Sequence, residues 1–138
     1  MKILGVSLGT KNGNNDTMCR VALEAAKAKG AEIEFIHLLD WDIQYCSGCV
    51  ACSRGLVMGK GMICSRQDDF KAFYEKVIEA DGVLFVDPIF ESGATGLYHS
   101  ITDRMGPGHD TGMMKMLDGK LKEAGKEAEA VFVSDMNI

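Results

Sequence analysis

Val83-Leu84-Phe85-Val86 is apolar at every position, with Asp81-Gly82 before it and Pro88 after it. A short apolar run between turn residues is the pattern of a strand buried on both faces, as at the centre of a parallel sheet. Two more strands precede it. Ile3-Leu4-Gly5-Val6 ends in a polar, glycine-rich stretch, Ser7 to Thr17. Ala31 to Leu39 sets Ile33, Phe35 and Leu39 on one face and Ile36 and Leu38 on the other, apolar on both sides.

Helical patterns alternate with these strands. From about Asp16, the residues Met18, Cys19, Ala22, Leu23 and Ala26 recur at helical spacing, and Gly30 supplies a stop. After Asp68 or Asp69, the residues Phe70, Phe73, Tyr74, Val77 and Ile78 make an amphipathic face. Beyond the third strand, Ala94, Leu97, Ile101 and Met105 form a stripe. Past Gly106-Pro107-Gly108 the pattern weakens; Met113 to Lys126 reads as a polar helix and Ala130-Val131-Phe132-Val133 as a fourth strand. Three strand–helix alternations predict a doubly wound parallel sheet, an α/β fold in three α/β/α layers.

Size and charge narrow the function. A chain of 138 residues is expected to be a single domain, 1–138, with 106–127 as a long irregular or helical insertion. Its net charge of −5, without a Lys/Arg run, disfavours nucleic acid and anionic membranes as partners. No stretch approaches the roughly 18 apolar residues of a membrane span. The N-terminus reads as a strand without a cleavage pattern, so a cytoplasmic protein is expected. Five cysteines in such a chain point to metal or redox chemistry rather than structural disulfides.

Doubly wound sheets bind ligands beyond the carboxyl ends of their strands. Three loops occupy that edge: Ser7–Thr17, Asp40–Gln67 and Asp87–Gly93. The first is rich in Gly, Asn, Ser and Thr and leads into a helix N-terminus, a setting for a phosphate with Lys11 supplying charge. It matches neither the dinucleotide fingerprint nor the P-loop, so a mononucleotide phosphate is the better guess; a solvated loop with an Asx cap is the alternative. The second holds Cys46-x2-Cys49-x2-Cys52, with Cys64 following. Such thiols suit a [4Fe–4S] cluster, a zinc or redox-active thiol site, or buried unligated packing. Cys19 reads as core. In the third, Pro88 sets a turn, Phe90 offers an apolar plane, and Ser92-Gly93 permits close approach. Thr95, Tyr98, His99 and His37 read as structural, as do His109 and the Met113, Met114, Met116 cluster.

Together these segments resemble the flavodoxin-like NAD(P)H-dependent FMN reductase family, and within it the iron–sulfur flavoproteins. The similarity covers about residues 1 to 105. It rests on the Ser7–Thr17 loop, the four cysteines before Asp68-Asp69, Asp81 to Phe90, and Ile101-Thr102-Asp103-Arg104. It implies FMN, with its phosphate in the loop that Ser7 opens, against Gly9, Lys11, Asn15, Asp16 and Thr17. The ring would lie near Pro88, Ile89, Phe90 and Glu91. It further implies a [4Fe–4S] cluster on Cys46, Cys49, Cys52 and Cys64, NAD(P)H as co-substrate, and a homo-oligomer. Relatives carry Ser, Arg and Thr where Gly9, Lys11 and Asp16 stand. The family also continues into a fifth strand and a final helix, so the C-terminal part of the fold is expected to be short or truncated. The expected function is electron transfer from NAD(P)H through FMN to a small-molecule or protein acceptor, with no protein residue as catalyst because the flavin carries the chemistry. The alternatives are an iron–sulfur flavoprotein acting as an electron-transfer module and a scaffold that has lost flavin.

Overall fold

The computed structural model describes residues 1–57, 64–107 and 132–135. Its elements run β1 (Lys2–Ser7), α1 (Asn14–Ala28), β2 (Glu32–His37), a single 3₁₀ turn (Leu38–Asp40), α2 (Ala51–Val57), α3 (Phe70–Glu79), β3 (Gly82–Pro88), α4 (Gly96–Pro107) and β4 (Phe132–Asp135). Among the described residues the strands form one sheet in the order β2-β1-β3-β4, and every pairing is parallel. Ser7 at the end of β1 lies opposite His37 of β2 and Val86 of β3. The carboxyl ends of these three strands therefore finish side by side.

The apolar pattern of each strand divides between two cores. Leu4, Val6, Leu8, Ile36 and Leu38 pack with Phe70 and Phe73 of α3 and with Ile101 and Met105 of α4. On the opposite face Val86, Ile3, Ile33, Phe35 and Leu84 pack with Cys19 and Leu23 of α1. Cys19 is fully buried, and burial pushes its thiol up to about 11, in keeping with a core role. Gly5 makes this second layer possible. A Cβ there would lie 2.7 Å from Cys19 Sγ and 2.7 Å from Leu23 Cδ1, so only glycine lets α1 sit this close to β1.

Several boundaries differ from the sequence pattern. The second strand ends at His37, and Leu39 lies in the 3₁₀ turn, exposed rather than on the Ile33–Phe35 face. Ala94 precedes α4 and is exposed, because Thr95 starts that helix. The Asp40–Gln67 segment is not wholly irregular, since it contains α2. The fourth strand is shifted toward the C-terminus and pairs with β3 from Phe85↔Phe132 to Pro88↔Asp135. The Met113–Lys126 helix, His109 and Met113, Met114 and Met116 lie outside the described residues. Among the described residues no helix is long and apolar enough to cross a membrane.

Candidate functional site

The first loop leaves β1 at the point where neighbouring connections depart to opposite faces. Leu8 N–H donates to the Val86 carbonyl at 2.9 Å, which ties the start of the loop to β3. The loop then closes around Asp16. The Ser7 hydroxyl donates to Asp16 Oδ1 at 2.5 Å and the Asn12 N–H to Asp16 Oδ2 at 2.7 Å. Asn12 adopts φ 59°, a left-handed conformation that asparagine tolerates better than most residues. His37 Nε2 lies 3.1 Å from the Gly9 carbonyl, so this nitrogen is the donor, and it lies 3.6 Å from Asp16 Oδ1. Ser7, Gly9, Asn15 and Asp16 are thus brought together in the loop. Two expected phosphate contacts are engaged elsewhere. Lys11 Nζ donates to both Asp40 oxygens at 2.8 Å, and Thr17 Oγ1 donates to the Gly13 carbonyl at 3.1 Å. The Lys11 hydrogen bond holds the Asp40 carboxyl below its usual range. An open cleft of about 450 Å³ runs past this group, bordered by Lys11, Asp16, His37, Asp40 and Trp41.

Two features of the loop bear on an anion. Asn15 is 5% exposed, yet its Nδ2 has no partner, a costly state for a buried donor unless something accepts from it. Gly9 has no room for a side chain, because a Cβ there would lie 2.7 Å from Asn15 Cβ. A serine at this position would have to displace Asn15.

The third loop is a miniature hairpin. Phe90 and Gly93 exchange N–H to carbonyl hydrogen bonds of 2.9 Å each way. Glu91 and Ser92 between them have φ 46° and 65°, the two positive values of a type I′ turn. Asp87 holds the base of this hairpin by accepting from Thr95 N–H at 2.9 Å and from Thr95 Oγ1 at 2.6 Å. Thr95 Oγ1 accepts from Tyr98 N–H at 3.2 Å and so caps α4. Pro88 is buried, Ile89 half-buried, and Phe90 is 64% exposed at the carboxyl edge of the sheet.

The cysteine segment is a loop with a clasped neck. Asp42 N–H donates to Asp69 Oδ2 at 2.8 Å, and Asp69 N–H returns a bond to the Asp42 carbonyl at 2.9 Å. Arg104 of α4 locks this neck. It reaches Asp68 Oδ2 at 2.5 Å and Oδ1 at 2.7 Å, the Gln44 carbonyl at 2.9 Å and Cys64 Sγ at 3.2 Å. Its guanidinium also lies over the Phe70 ring, 4.1 Å from the centroid. The sequence marked Thr102-Asp103-Arg104 without assigning this role. The available signal was an arginine next to Met105 in an apolar helical stripe.

The four cysteines do not meet. Cys49 Sγ is 3.0 Å from Ser65 Oγ, Cys46 Sγ accepts from Gly48 N–H, Cys64 is held by Arg104, and Cys52 lies in the first turn of α2. Among the described residues no three His, Cys, Asp or Glu side chains converge as a metal site. This arrangement therefore does not assemble the expected cluster set. The Ser65 hydroxyl, then the backbone N–H of Ala51 and the Ser47 side chain, lower the Cys49 thiol to about 7.

The neck makes stability acid-sensitive. The Asp68 side chain is fully buried, and Arg104 lowers its carboxyl from 3.8 to about 2. A depressed carboxylate stabilises the fold above its unfolded pKa near 4, and the contribution fades as pH falls toward 2. About 1.4 kcal/mol per unit makes this roughly 2–3 kcal/mol. Urea unfolding at pH 5 and pH 2.5 should show about 1.5 kcal/mol of that loss in the parent and a distinctly smaller one in Asp68→Asn. An equal loss in both would exclude this role for Asp68.

Residues 1–122 match the family model of NADPH-dependent FMN reductases. The chain belongs to that family. The curated proteins it is similar to include iron–sulfur flavoproteins. One from Archaeoglobus fulgidus is 34% identical over 104 residues, 75% of this chain and 48% of the relative. Another, from Methanocaldococcus jannaschii, is 33% identical over 108 residues, 78% of this chain and 53% of the relative. This reductase-family chain spans about half the length of the curated relatives it matches. Among solved structures, a flavone reductase aligns with TM-score 0.67 and 39% identity, over 97% of this chain and 43% of that one. An apo NADH:FMN oxidoreductase aligns with TM-score 0.55 and 19% identity, over 96% of this chain and 75% of that one, and shares the fold.

Proposed function

We propose that this chain is the flavin-binding part of an FMN-dependent oxidoreductase that draws electrons from NAD(P)H. The supporting observation is the juxtaposition, at one sheet edge, of a loop with an unpartnered buried amide donor and a hairpin presenting an exposed aromatic ring. Asn15 Nδ2 and the free N–H groups of the first turn of α1 are suited to phosphate oxygens. Lys11, Ser7, Gly9, Asp16 and Thr17 complete the loop in this reading. Pro88, Ile89, Phe90 and Glu91 would flank the ring, on a turn that Asp87 and Thr95 hold in place. When bound, FMN would supply the hydride and electron transfer, and the protein would orient it and limit its contact with water.

The 39% identity to a flavone reductase favours a small, flat carbonyl compound as acceptor. The iron–sulfur names of the curated relatives favour a second reading, an electron-transfer module in which Cys46, Cys49, Cys52 and Cys64 rearrange around a [4Fe–4S] cluster. Tyr45, Val50 and Phe90 are exposed on loops, which suits a homo-oligomer. The full chain, purified anaerobically, should quench FMN fluorescence on titration. Failure to retain or rebind FMN overturns the flavin reading, and the absence of iron and sulfide overturns the cluster reading alone.

A further inference from the structure

We infer that Asp16 acts as an internal anion of the first loop, and that Asp40 withholds Lys11, so that this chain grips the flavin nucleus far more than its phosphate. The inference rests on the flavin reading and sets its specificity. An anion entering the loop would need donors, and several are already committed. The Ser7 hydroxyl and the Asn12 N–H both donate to Asp16, and both Lys11 contacts go to Asp40. Asp16 is 3% exposed, so water does little to screen its charge from a neighbouring phosphate. His37 Nε2, a further side-chain donor beside Asp16, is engaged by the Gly9 carbonyl. The loop thus holds one lysine against two carboxylates, and a dianion would have to displace or repel one of them. What remains are uncharged donors, Asn15 Nδ2 and the N–H groups of the first turn of α1, with no cation among them to offset Asp16. Gly9 cannot compensate with a hydroxyl, because a side chain there meets Asn15.

The test compares FMN with riboflavin by fluorescence quenching in the parent, Asp16→Asn and Asp40→Asn. It also follows the amide resonances of residues 12–16 during titration with inorganic phosphate. In the parent, FMN should bind within about tenfold of riboflavin, and phosphate should leave the loop amides unmoved. Asp16→Asn should tighten FMN about tenfold or more, the scale of a recovered charge-assisted hydrogen bond, with riboflavin unchanged. Asp40→Asn, at an exposed side chain, should tighten FMN several-fold and remains informative if Asp16→Asn fails to fold. In both variants the loop amides should respond to phosphate. Parent FMN binding a hundredfold tighter than riboflavin, or no tightening by either variant, overturns the inference. If no form binds either flavin, the flavin reading falls and the phosphate titration decides. A response confined to the variants sustains the internal anion, and an equal response in the parent refutes it.

Discussion

Arg104→Met should lower the unfolding free energy by about 3–5 kcal/mol, the usual cost of stranding one member of a buried ion pair. The Arg104 side chain is 1% exposed and that of Asp68 is fully buried, so water cannot replace the lost partner. Methionine keeps much of the volume over Phe70 but donates nothing to Asp68, Gln44 or Cys64. The neck of the cysteine segment should loosen with the loss. Adding Asp68→Asn removes the stranded charge and keeps an acceptor for the Gln44 N–H, so the double variant should recover at least half of the deficit. Urea unfolding followed by circular dichroism measures both. A single-variant loss below about 1 kcal/mol would show that the pair contributes little, as exposed pairs do.

This result would bear on what a sequence can disclose. Strands and helices were legible because each is written in a local period. Ile36 and Leu38 against Ile33 and Phe35 announced a sheet covered on both faces, and the two cores divide along that line. The three loops were legible because Gly, Asn and Cys accumulate where chemistry needs unusual backbone or ligands. Partner choice within those loops was not. Lys11 finds Asp40 across 29 positions, and Arg104 finds Asp68 across 36. Such pairings follow from the sheet order, which sets loops side by side, and leave no periodic trace. Leu39 and Ala94 fail for a related reason, since each continues an apolar pattern past the point where the element has ended.

Gly5→Val should cost about 3 kcal/mol and weaken FMN binding several-fold. Overpacking a well-filled interface costs roughly 1–3 kcal/mol, and the upper end applies because the first added carbon already meets three atoms of α1 within 3 Å. Those atoms belong to Cys19 and Leu23, both fully or nearly fully buried with no open side to yield toward. The helix must therefore lift away from β1. Its N-terminal turn carries Asn15 and Asp16, so the displacement passes straight into the loop that joins strand to helix. Leu23→Ala opens space under the new methyls and is itself destabilising, since it removes buried side-chain volume. In the Gly5→Val background it should instead restore part of the stability and most of the FMN quenching, the sign reversal expected of two residues that share one volume. If the two losses simply add, α1 is not seated on Gly5, and the position of the first loop must be set by its own contacts, among them the Leu8 N–H bond to the Val86 carbonyl.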